Sequence, residues 1–211
     1  MLDGIMRRLL DPGLNRVGRA LAARRVSADR VTLIGLGLGL IAALLISLGV
    51  TGWTALLPLF ASRVADGLDG AVARASQITD FGGYLDILCD FIFYGASPLA
   101  FVLQDPVTNG RAGAFLLTSF YVNGTSFLGY AVLAEKLGLQ GRSRGVKSLF
   151  FTSGLLEGTE TIGFFALICL WPQGFAELAW IFGALCYLTA GLRLLSAWRS
   201  FGRAGSRALA D

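Results

Sequence analysis

Four aspartates, Asp66, Asp69, Asp86 and Asp90, fall inside sequence hydrophobic enough to lie in a membrane. A carboxylate at the centre of a bilayer helix costs roughly 2.5 to 3.5 kcal/mol, so four together cost on the order of 10 kcal/mol, comparable to the net stability of a whole domain. Such a cluster calls for neutralisation, and a divalent cation is the expected partner. With 55% hydrophobic and 15% charged residues and a mean hydropathy of +0.65, the 211-residue chain reads as an all-α integral membrane protein with one membrane domain.

Six apolar runs are long enough to cross a hydrocarbon core of about 30 Å. They lie near Val31–Val50, Trp53–Ala75, Gly83–Leu103, Gly113–Ala134, Leu149–Leu170 and Phe175–Leu195. Arg7, Arg8, Arg16, Arg19, Arg24, Arg25 and Arg30 precede the first run, and Arg193, Arg199, Arg203 and Arg207 close the last. Lys136, Arg142, Arg144 and Lys147 follow the fourth, while the three opposite loops hold only Arg111. By the positive-inside rule both termini are cytoplasmic, as an even helix count requires. The expected layout is therefore an amphipathic cytoplasmic and interfacial segment at 1–30, a six-helix membrane domain at 31–200 and a cytoplasmic tail at 201–211. In the first segment Leu2, Ile5, Leu9, Leu14, Val17 and Leu21 recur at near-helical spacing opposite several arginines, with an interruption expected at Pro12-Gly13.

Histidine is absent, which removes Ser-His and Cys-His nucleophile schemes and His-ligated zinc, and leaves carboxylates as the acid-base system. Cys89, Cys169 and Cys186 sit in apolar runs at no metal-ligand spacing and read as reduced core residues. The net charge of +4 is spread over short segments between apolar runs, so its expected partners are membrane lipid headgroups and phosphorylated substrates, not nucleic acid.

On a helix, Asp66, Asp69, Gly70, Ala73 and Arg74 share one face, and Asp86 and Asp90 do the same on the next. Counted from the short link between the two helices, Asp69 and Asp86 lie about 6 to 8 Å inside the cytoplasmic end, with Asp66 and Asp90 a turn deeper. The four should converge at one level. An all-oxygen site suits Mg²⁺ or Mn²⁺, and four carboxylates allow two ions. Gly70 and Ala73 either admit a ligand to the helix backbone or allow close helix packing. Arg74 either binds a diphosphate or marks the helix end.

The segment Asp66–Asp90 resembles the signature of the CDP-alcohol phosphotransferases, D-x2-D-G-x2-A-R-x8-G-x3-D-x3-D, with every fixed residue type present. It departs from it in the gap between Arg74 and Gly82, which holds seven residues. Asp29-Arg-Val-Thr32-Leu33 is similar to the family's P-N-x-[LIV]-T-L segment, with Ala28 and Asp29 in place of Pro and Asn. The resemblance implies transfer of a substituted phosphate from a CDP-linked donor to an alcohol, releasing CMP. It implies Asp66, Asp69, Asp86 and Asp90 as metal ligands, with Asp90 also the general base, and Asp66, Gly70, Ala73 and Arg74 at the CDP moiety. A homodimer in a bacterial inner membrane, its active site facing the cytoplasm, is the assembly it implies.

A site close to the membrane surface favours CDP-diacylglycerol as donor. For the acceptor, Arg142, Arg144 and Lys147 either hold a phosphorylated alcohol such as glycerol 3-phosphate or are ordinary cytoplasmic charges. Glu157 and Glu160, acids within another apolar run, either shape the acceptor pocket or pair with Arg193. Ser97-Pro98 is expected to kink the third helix, and Tyr94 and Tyr121 to pack. A divalent-cation transporter and a noncatalytic membrane scaffold are the competing readings. Transport favours acids spread across the bilayer, and a degenerate scaffold would not keep every expected ligand.

Overall fold

In the computed structural model, which describes residues 3–136, 156 and 158–201, the apolar runs become helices. They are α1 (Asp3–Ala23), α2 (Ala28–Ser47), α3 (Trp53–Ala75), α4 (Asp80–Gln104), α5 (Pro106–Lys136), α6 (Gly158–Leu170) and α7 (Phe175–Phe201), with a 3₁₀ turn at Pro172–Gly174. Three stretches, α2, α4 and Pro172–Phe201, are long and apolar enough to cross a membrane, and α6 is a shorter apolar helix. The second and fourth runs form α3, which carries Arg63, Asp66, Asp69 and Arg74, and the 31-residue α5. The beginning of the fifth run lies outside the described residues.

The helix α1 runs unbroken through Pro12, where the sequence predicts an interruption. Proline removes one hydrogen bond and crowds the preceding turn, but the second half of α1 is anchored by packing. Gly18 is packed against α3, where a Cβ on it would stand 2.8 Å from the carbonyl carbon of Ala71. Half-buried Leu14 and Leu21 share that face, whereas Leu9 and Val17 of the expected apolar stripe differ in direction, Leu9 being 69% exposed. The helix ends in a Schellman turn with Arg25 in the left-handed region at φ 58°, Val26 N–H bonding the Leu21 carbonyl and Arg25 N–H that of Ala22.

Helix α2 packs on α3 and α4, and α5 packs on α4 and α7. The apolar core fills the end of the bundle remote from the aspartates, drawing on the C-terminal halves of α2 and α4 and the N-terminal halves of α3, α5 and α7. Aromatic rings lock it: Phe101 stacks on Phe175 at 5.0 Å, and Phe164 on Phe182 at 4.3 Å. Cys89, Cys169 and Cys186 are buried free thiols, as expected. Pro98 lies within continuous α4, with Ser97 Oγ donating to the Phe93 carbonyl at 2.9 Å. Tyr94 packs on Phe93 and Phe165, but Tyr121 is 73% exposed and turns away from the core. The bundle thus has an apolar end and, opposite it, a polar end built from the start of α2, the end of α3 and the start of α4.

Candidate active site

The polar end is organised by the tight turn at residues 76–79 that joins α3 to α4. Thr79 caps α4, its Oγ1 accepting from Gly82 N–H at 3.0 Å. Any side chain on Gly82 would crowd this cap, since a Cβ would stand 2.9 Å from Thr79 Oγ1 and 3.3 Å from Asp29 Oδ1. The signature glycine is therefore needed for close approach, and the turn returns α4 beside α3 with their acids facing. One carboxylate oxygen from each of Asp66, Asp69 and Asp86 lies within 4.8 Å of the others. Oxygens ligating one Mg²⁺ at about 2.1 Å stand at most ~4.2 Å apart, so a closure of a few tenths of an ångström fits this all-oxygen set to Mg²⁺ or Mn²⁺. Asp69 is only 5% exposed, and the Thr32 hydroxyl on α2 shares its one proton between Asp69 Oδ2 at 2.6 Å and, more weakly, the Ala28 carbonyl at 3.1 Å.

Asp90 is held differently from the other three. Arg63, one turn before Asp66 on α3, donates from Nη1 to Asp90 Oδ1 at 2.8 Å and stands 3.6 Å from Asp66 Oδ1. Its guanidinium lies 3.7 Å above the Phe93 ring centroid, and Nη2 donates to Ser62 Oγ at 3.1 Å. Part of the neutralisation that the sequence assigns to a metal is therefore supplied by the chain itself. The signal was Arg63 three residues before Asp66, on the same helix face.

At the outer end of the site, Gly70 lies under the Arg74 side chain, whose Nη1 would stand 3.2 Å from an added Cβ. Among the described residues, Gly70 therefore lies beneath a guanidinium and against no neighbouring helix. Ala73 is half-buried beside it, and exposed Arg74 donates from Nη2 to Asn15 Oδ1 on α1 at 3.1 Å. Asn15 has no part in the sequence-level site; it enters because α1 lies along α3.

Of the candidate acceptor residues, Arg142, Arg144, Lys147 and Glu157 lie outside the described residues. Glu160, in the first turn of α6, lines a groove of about 250 Å³ whose other walls are apolar, among them Phe164, Leu167 and Phe182. Arg193 is buried against α5, donating to the Asn123 carbonyl and side-chain oxygen at 3.0 Å each and to Ser126 Oγ at 2.6 Å.

Comparison with known proteins identifies the family. The chain is 42% identical over 200 residues, 94% of its length and 96% of the relative's, to an inner membrane protein of Escherichia coli K12, YnjF. It is 30% identical over 138 residues, 60% of this chain and 64% of the relative, to a CDP-diacylglycerol–serine O-phosphatidyltransferase of Methanocaldococcus jannaschii. Its fold is shared, with a TM-score of 0.68 over 88% of this chain and 93% of the other at 23% identity, with the Mycobacterium tuberculosis phosphatidylinositol phosphate synthase PgsA1 solved with CDP-DAG bound. The CDP-alcohol phosphatidyltransferase model matches residues 25–190, a span containing all four aspartates, and the chain therefore belongs to that family of membrane transferases.

Proposed function

We propose that the protein transfers the phosphatidyl group of CDP-diacylglycerol to the hydroxyl of a polyol phosphate such as glycerol 3-phosphate, releasing CMP, in phospholipid synthesis. The observation that carries this reading is the nest of Asp66, Asp69 and Asp86 oxygens at one end of a membrane-protein bundle. A lipid-linked donor is supported by the apolar surface flanking the nest, where Tyr84, Ile87, Leu88 and Phe91 of α4 are exposed. It is supported also by the CDP-DAG bound to the solved mycobacterial synthase that shares this fold. The acceptor rests on the basic residues Arg142, Arg144 and Lys147 in the segment that follows α5.

In this reading Asp66, Asp69 and Asp86 hold Mg²⁺ or Mn²⁺, which when bound offsets diphosphate charge and stabilises CMP as the leaving group. Asp66, Gly70, Ala73 and Arg74 line the nucleotide side, with the Arg74 guanidinium pairing with the diphosphate. Asp90 takes the proton of the acceptor hydroxyl as its oxygen bonds the phosphatidyl phosphorus and the bond to CMP breaks. The chain crosses the inner membrane six times with both termini and the site on the cytoplasmic side, α1 lies in the interface, and a homodimer is the working assembly. Cation transport is disfavoured by Arg63, a fixed positive charge 2.8 Å from Asp90.

The test is CMP release from CDP-diacylglycerol with Mg²⁺ or Mn²⁺ and, separately, glycerol 3-phosphate, inositol phosphate, serine or phosphatidylglycerol. Metal-dependent release with glycerol 3-phosphate is expected, and Asp90→Asn should abolish it while retaining donor binding. Release unaffected by a chelator, or none with any acceptor, overturns the reading; turnover with serine alone replaces the acceptor.

A further inference from the structure

We propose that Arg63 is a built-in cation filling the deep end of the carboxylate cluster, so that the protein without substrate holds one divalent ion, on Asp66, Asp69 and Asp86, and not two. The inference rests on the metal reading above and concerns how many ions that site accepts.

The position of Arg63 is fixed on several sides. Its side chain is 8% exposed, clamped between Asp90 Oδ1 at 2.8 Å, Ser62 Oγ at 3.1 Å and the face of Phe93 at 3.7 Å. Its Nε is buried without a hydrogen-bond partner, so the side chain gives up one donor to keep its Nη atoms on the carboxylate and the serine. A guanidinium stays charged wherever it is placed, so this positive charge is permanent. Two ions sharing a carboxylate site sit about 3.5 to 4 Å apart, and the second would need an oxygen from Asp90. In this chain the Oδ1 of Asp90 already accepts from Arg63, and the same Nη1 stands 3.6 Å from Asp66 Oδ1. A second divalent ion there would be left only the other Asp90 oxygen and would meet a permanent positive charge already seated between Asp90 and Asp66. Arg63 is thus a positioning residue: it sets the orientation of Asp90 and leaves the other three acids to the resident ion.

The experiment counts Mn²⁺ bound to detergent-purified protein without substrate, by electron paramagnetic resonance and elemental analysis. One ion per chain is expected for the native protein and for Arg63→Lys, which keeps the charge. Two are expected for Arg63→Gln. Two ions in the native protein, or one in a folded Arg63→Gln variant, overturn the proposal while leaving the metal reading standing. No bound ion in the native protein overturns both. Should Arg63→Gln fail to fold, as judged by thermal unfolding and gel filtration, Asp90→Asn decides: the single ion should stay, and its loss overturns the proposal.

Discussion

In the proposed metal site, a single hydroxyl would govern how Asp69 meets the cation. Asp69 is nearly buried, and the Thr32 Oγ1 donor 2.6 Å away fixes one of its oxygens and so the direction in which the carboxylate presents the other. Partners that orient metal ligands are worth about 10- to 100-fold in metal affinity. Thr32→Val, which keeps the shape and removes the donor, should weaken Mn²⁺ binding by that factor without unfolding the protein, and Thr32→Ser should restore it. A Mn²⁺ titration with unchanged affinity for the valine variant would dispose of this role. The spacing of Asp66, Asp69 and Asp86 was legible in the sequence because helical periodicity and a short link dictate which faces meet. The pairing of Arg63 with Asp90 was not, since it depends on how far a long side chain reaches across to α4 and on the ring of Phe93 that holds it there. Nor was Thr32 as the partner of Asp69, 37 positions away, because only the packing of α2 on α3 brings them together.

At the level of the helices, α1 is tied to the site by its contact with α3. Gly18 permits the approach, and the Asn15–Arg74 hydrogen bond sits one turn away. Gly18→Ala places a methyl 2.8 Å from Ala71 backbone, so α1 must shift. Overpacking of this kind costs about 1 to 3 kcal/mol, and Tm should fall. Gly13→Ala, in the same helix but with nothing within 4 Å, should instead raise stability by about 0.5 to 1 kcal/mol through helix propensity. Thermal unfolding of the two variants in detergent separates contact from propensity; equal shifts would mean that α1 does not dock in solution. Apolar length alone located α2, α3 and α4 to within three residues and the start of α7, which runs six residues past the expected end at Leu195, because a run bounded by glycine, proline or charge has few other solutions. The continuity of α1 through Pro12 was hidden, because a local helix-breaking signal is outweighed by anchoring to a neighbour that the local sequence does not reveal.

For the whole molecule, the apolar and polar ends of the bundle imply one orientation in the bilayer. In the proposed topology the basic residues before α2 and after α5 would put the aspartate end inside, and the junction of α4 and α5 would then lie on the far side. Val107 at that junction is 95% exposed, and Ser76 in the α3–α4 turn is exposed at the site end. The native thiols Cys89, Cys169 and Cys186 are buried, so a membrane-impermeant maleimide should report introduced cysteines over a low background. Val107→Cys should be labelled in intact cells with a permeabilised outer membrane, and Ser76→Cys only in inverted vesicles. The opposite pattern would put the aspartates outside, where a charged nucleotide-linked donor made in the cytoplasm could not reach them. The labelling result therefore bears on the donor as well as on topology, because a site that binds CDP must open on the side where CDP-lipids present their headgroups.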